Sequence, residues 1–148
     1  MAVLSDRSKK NLVNVHPDLI KIIEKCLSYG TVDFSVIQGQ RSIEQHLQNL
    51  KKGVSKAPMS KHCYDPSCAF DFIMYPFTGW NDANGFDKVA KELVRAAKEL
   101  GIPARSGGDW NMDGNFRNDR FYDGGHFELI QPYNDPKPTI PSINKGGK

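Results

Sequence analysis

Apolar residues recur at helical spacing between Pro17 and Tyr29, where Leu19, Ile20, Ile22, Ile23, Cys26 and Leu27 form one stripe. Pro17 suits a first helical turn and Gly30 a stop. Val32 to Ile37 then alternates apolar and polar, the pattern of a half-buried strand, and Gly39 interrupts it. Ser42 to Leu50 returns to helical spacing, with Ser42 and Gln45 placed as a capping pair. A basic loop with Gly and Pro follows over 51–59. Cys68 to Met74 has strand character, 76–85 is rich in turn residues, and Phe86 to Leu100 is the clearest amphipathic helix, ended by Gly101. Ile102 to Ser106 reads as a short strand, 109–123 as a long polar loop, and Gly125 to Ile130 as a last strand. Helices and short strands mix without regular βαβ alternation, which predicts an α+β fold with a small, mainly antiparallel sheet flanked by helices. One domain is expected over 1–130. The four prolines and the Gly-Gly-Lys end of 131–148 predict an extended C-terminal tail without a core of its own.

The 148 residues suffice for a hydrophobic core. A net charge of +3, with no Lys/Arg run interleaved with aromatics, gives no footprint for nucleic acid. No apolar run reaches the roughly 20 residues that a membrane-spanning helix needs, so no membrane insertion is expected. The first residues, MAVLSDRSKKNLVN, lack the apolar stretch of a signal peptide, so a start in the cytoplasm and another route of export are expected. Cys26, Cys63 and Cys68 are an odd set, which argues against a disulfide framework. Cys26 lies in the apolar stripe and reads as a core thiol.

The polar residues that break these patterns fall into two clusters. Ser60-Lys61-His62 is followed by Ala69-Phe70-Asp71, and far along the chain comes Asp123-Gly124-Gly125-His126-Phe127-Glu128. Two histidines and a carboxylate are a sufficient ligand set for a catalytic zinc with one position open, and a remaining carboxylate can serve as base. Asp71 interrupts an apolar strand and points away from Phe70 and Phe72. His126 and Glu128 share one strand face. The pattern alone does not separate Asp123 from Glu128 as the base; Glu128 is equally placed to orient a ligand. In the long loop, Asp109-Trp110-Asn111-Met112-Asp113-Gly114 fits the first half of a calcium loop, with donors expected from Asp109, Asn111, Asp113 and the Asn115 carbonyl. The twelfth position is Arg120 rather than Glu, with Asp119 or Asp123 as substitutes. A polar surface loop held by Asx-turns is the alternative.

Ser60-x-His62, Ala69-x-Asp71 and Asp123-x-x-His126-Phe127-Glu128-Leu129, in this order, resemble the zinc peptidases of the VanY and VanX type. Within that group the chain most resembles the phage endolysins that are L-alanyl-D-glutamate peptidases. Gly39-x-Arg41-Ser42-x-x-x-Gln45 and Gly107-Gly108-Asp109-Trp110 extend the match, which runs from about Pro17 to Ile130. The resemblance implies the zinc D-Ala-D-Ala carboxypeptidase/Hedgehog-like fold. It implies His62, Asp71 and His126 as zinc ligands, Asp123 as the catalytic carboxylate, and Arg41 beside the scissile carbonyl and its oxyanion. Ser60 and Gln45 come over as supporting positions. The implied partner is bacterial peptidoglycan, cut by a monomer that is made in the host cytoplasm and reaches the wall after the membrane is permeabilised. A D-alanyl-D-alanine dipeptidase or carboxypeptidase of the same fold, and a zinc-stabilised wall-binding module that does not cut, are the alternatives. The interval from His62 to Asp71 is longer than the family's. Its extra residues lie within 63–68, where a looped-out turn at Asp65-Pro66, a cysteine ligand, or a Cys63–Cys68 disulfide are the readings open.

Overall fold

Among the described residues, four antiparallel strands in the spatial order Phe34–Gln38, Ala69–Met74, His126–Leu129, Ala104–Ser106 form the sheet that carries Asp71, His126 and Glu128. The computed structural model describes residues 4–40, 51, 66–112, 114 and 123–130. Along the chain the elements are α1 (Asp6–Asn11), α2 (Pro17–Ser28), β1 (Phe34–Gln38), β2 (Ala69–Met74), α3 (Ala83–Leu100), β3 (Ala104–Ser106) and β4 (His126–Leu129). The α+β expectation therefore holds. The helix expected over 42–50 and the tail over 131–148 lie outside the described residues.

The two long helices follow their signals. α2 opens with Pro17 in its first turn, and the His16 ring accepts from the Asp18 amide. α3 begins three residues before the apolar stripe, because Asp82 caps it by accepting from the Gly85 amide at 3.0 Å. It ends at Gly101 in the left-handed conformation, φ 70°. α1 has no apolar stripe to announce it. Ser5 caps it, Asp6 opens it, and Lys9 and Lys10 sit in its last turn, each favourable to the helix dipole. It is held by polar bonds to β1: the Val36 amide donates to the buried Ser8 hydroxyl at 2.9 Å, and Asn11 Nδ2 donates to the Val36 carbonyl at 2.8 Å. α1 thus covers the sheet edge that β1 would otherwise expose.

Strand alternation divides the central sheet. Phe70 pairs with Phe127 across β2 and β4, and both are fully buried. Phe86 of α3 packs on Phe72, ring centroids 6.1 Å apart, so α3 covers the phenylalanine face. Leu19, Ile22 and Ile23 of α2 and Leu93 of α3 complete the core, each side chain contributing about 1.5–3 kcal/mol by burial. The intervening positions, Asp71 on β2 and His126 and Glu128 on β4, point the other way. Backbone bonds from His16 to Ser67 (2.9 Å) and from Ser67 to Asn14 (2.9 Å) anchor the chain just before it enters β2.

Candidate active site

Cross-strand register brings Asp71 of the first polar cluster against His126 of the second. Asp71 and His126 are directly opposed on β2 and β4, and His126 Nδ1 lies 3.3 Å from Asp71 Oδ1. The other ring nitrogen, Nε2, lies 2.8 Å from Glu128 Oε1. Arg105 of β3 sits opposite Glu128, and its Nε donates to Glu128 Oε2 at 2.8 Å. Each Glu128 oxygen is thus engaged, and the residue is 5% exposed. Buried between His126 and Arg105, Glu128 is placed to orient the imidazole.

Arg105 continues the network. Its guanidinium lies over the Trp110 ring at 4.9 Å and donates to the Trp110 carbonyl at 3.2 Å. Trp110 in turn packs on the His126 ring, centroids 5.5 Å apart. Arg105 and its role are not readable from the chain, because its partner lies 23 residues away and is set by strand register.

His126 is buried, 8% exposed. Burial alone pulls its pKa down, but hydrogen bonds to Asp71 and Glu128 and the charges of both carboxylates outweigh this and push it up to about 10. The two carboxylates it contacts thus favour the protonated form of the ring. Asp71 and His126 offer two donors of the kind a divalent metal takes, while among the described residues no three such side chains form a complete metal site. A carboxylate fixes the far nitrogen, while Nδ1 and an Asp71 oxygen are side by side, as in a carboxylate–histidine–metal arrangement.

Asp123 is placed by backbone. Its amide donates to the Gly107 carbonyl at 2.8 Å, its carbonyl accepts from the His126 amide at 3.1 Å, and the Gly107 amide donates to the His126 carbonyl at 2.7 Å. Asp71 and Asp123 line one open cleft of about 340 Å³, with Ile37, Trp80 and Phe86 among its other walls. Ile37 reaches it at the irregularity in β1 between Val36 and Gln38.

Of the remaining candidates, His62, Arg41, Ser60, Gln45, Asp113, Asn115 and Asp119 lie outside the described residues, as does Cys63. Asp109 is buried, and its Oδ2 accepts from the Gly114 amide at 2.8 Å, so this carboxylate holds the turn in which Gly114 has φ 85°. Cys26 is fully buried in the core, and burial pushes its thiol up to about 12. Cys68 is buried at the entry to β2. Among the described residues, no helix is long and apolar enough to cross a membrane.

Residues 1–130 match the family model described as phage L-alanyl-D-glutamate peptidase. The L-alanyl-D-glutamate peptidase of Escherichia phage T5 is 40% identical over 131 residues, covering 83% of this chain and 94% of that protein. Among solved structures, the L-Ala D-Glu endopeptidase ChiX of Serratia marcescens superposes with a TM-score of 0.70 at 31% identity, covering 86% of this chain and 89% of that one.

Proposed function

The chain belongs to the phage L-alanyl-D-glutamate peptidase family, and from that premise we propose that it is a zinc enzyme cutting the L-alanyl-D-glutamate bond of peptidoglycan stem peptides. The observation that carries the reading is the opposed Asp71–His126 pair, whose carboxylate and imidazole nitrogen meet at 3.3 Å beside the cleft that Asp123 lines. His62, Asp71 and His126 would hold the metal, which when bound supplies an acidified water and a Lewis acid for the scissile carbonyl. Asp123 takes the nucleophile's proton and delivers it to the leaving D-glutamate nitrogen. Arg41, permanently charged, stabilises the developing oxyanion. Glu128 keeps the His126 ring turned so that Nδ1 faces Asp71, and Arg105 holds Glu128 in turn. Trp110 shields the ring from water. Host lysis would follow where a separately made membrane lesion lets the enzyme, produced in the bacterial cytoplasm, reach the wall.

The test is a digest of purified peptidoglycan, read by mass spectrometry, with metal analysis of the protein. Stem peptides that begin at D-glutamate, with L-alanine left on the glycan, and about one zinc per chain are expected. Released D-alanine would instead assign the carboxypeptidase activity, and no release would leave a binding module.

Two expectations concern the metal. Glu128→Gln keeps the shape of the side chain but drops its charge, so zinc affinity should fall about 10–100-fold, measured by competition with a chelator. An unchanged affinity would remove Glu128 from the site. The second is a pH dependence. The metal must displace the His126 proton, so zinc uptake at pH 7 should release about one proton from this ring, and apparent affinity should climb about tenfold per pH unit between pH 6 and 8. Calorimetry in two buffers of different ionisation enthalpy reads the proton directly; none released means that His126 is neutral before binding. The same raised pKa stabilises the metal-free fold fully below about pH 6.5, and that contribution is lost as pH rises through about 10.

A further inference from the structure

We propose that Phe77 and Trp80 form a sugar subsite that takes the N-acetylated muramyl residue to which the stem peptide's L-alanine is joined. This rests on the peptidase reading above and extends it to the glycan side of the scissile bond. Trp80 is 67% exposed and Phe77 43% exposed. Their rings meet edge to face, centroids 5.1 Å apart. Trp80 also lies nearly parallel to Phe86, 18° between planes and 6.1 Å between centroids, and Phe86 is buried in α3. Trp80 is thus anchored from the core while most of its surface stays in water. Contiguous exposed aromatics of this kind mark binding surfaces.

The loop that carries them is held in place. Thr78 Oγ1 donates to Asp82 Oδ2 at 2.5 Å, the Asp82 amide donates to the Gly79 carbonyl at 3.2 Å, and Asp82 caps α3. A platform fixed beforehand loses little entropy on binding.

Position selects the occupant. Trp80 lines the same cleft as Asp71 and Asp123. The L-alanine nitrogen is acylated by the lactyl group of the amino sugar, so the sugar lies one amino acid from the scissile bond, about 3.6 Å of chain plus the lactyl link. The sugar must therefore leave the cleft close to its walls. On the other side of the bond the stem is rich in charge: the D-glutamate carboxylate and the diamino acid after it match an uncharged aromatic surface poorly. A pyranose ring presents faces of C–H bonds with hydroxyls at its rim. Such a face lies well on an indole while the hydroxyls stay hydrated.

The test is a pair of substrates with the same stem tripeptide, L-Ala-D-Glu-diaminopimelate, one free and one carrying N-acetylmuramic acid. Wild-type kcat/KM should favour the muramyl peptide by about tenfold, a factor worth about 1.4 kcal/mol. Trp80→Ala should collapse that preference, mainly through KM, and Trp80→Phe should restore most of it. Equal wild-type rates on the two peptides overturn the proposal, as does an equal loss on both in Trp80→Ala. Should only the muramyl peptide be cut, a KM raised by Trp80→Ala and returned by Trp80→Phe supports the subsite, and a loss confined to kcat overturns it. Binding to phosphatidylglycerol vesicles that Trp80→Ala abolishes, at unchanged substrate preference, assigns the patch to a membrane and overturns it too. A wild type that cuts neither peptide, nor peptidoglycan itself, fails the peptidase reading and takes the subsite with it.

Discussion

Replacing Asp123 with asparagine is expected to lower kcat on peptidoglycan about 10²–10⁴-fold, the range for losing a general acid–base group, with zinc content and thermal stability close to wild type. The substitution preserves size, and the backbone bonds of residue 123 to Gly107 and from His126 do not depend on its side chain. Strand register and the Glu128 contact, which position His126, are left intact. What the cleft wall loses is a carboxylate that can take up a proton. Turnover on purified peptidoglycan, read with zinc analysis of the same preparation, checks this. A loss below about tenfold would mean that another group carries the proton, and Glu128 is ill-suited to be that group while buried between His126 and Arg105. Parallel loss of zinc would instead mean that Asp123 supports the metal.

The separation of roles that this variant tests was only half legible in the chain. Helices α2 and α3 announce themselves through apolar period and end signals, because both effects are local. α1 does not, since what holds it is the Ser8 hydroxyl and the Asn11 amide bound to a strand some 25 residues away. The same distinction applies to the site. Asp71 stands out as a carboxylate in an apolar strand, and His126 and Glu128 as neighbours on one face, all from the period-two geometry of strands. Which of His126's neighbours takes which nitrogen depends on the order β2-β4-β3, and no local pattern encodes strand order. Arg105 was invisible for this reason: a basic residue in a three-residue strand has no distinguishing feature until register sets it against Glu128. Trp80 fell in a segment readable only as turn-rich, and its meaning comes from the cleft it borders.

Gly107 carries the second large effect, and it acts through packing. A Cβ at this position would lie 2.3 Å from the Asp123 carbonyl oxygen, 3.0 Å from His126 Cβ and 3.1 Å from Asp123 Cβ. The nearest of these is backbone, so no side-chain rotation relieves the contact. Yet Gly107 is tied on both sides to the elements it would strike, donating to the His126 carbonyl and accepting from the Asp123 amide. Gly107→Ala must therefore push the Asp123–His126 turn away from β3 or break those bonds. Overpacking of this kind costs about 1–3 kcal/mol, or a melting temperature lower by roughly 3–10 °C for a domain of this size. The functional loss should exceed what stability alone explains, because a displacement of about 1 Å at a catalytic group costs on the order of 10²-fold in rate. The variant differs from Asp123→Asn in one readout: it moves His126 as well, so zinc affinity should fall together with kcat. A Gly107→Ala protein with wild-type turnover and zinc affinity would show that the turn can yield without moving either residue, and that the close approach of β3 to this turn is not what aligns the site.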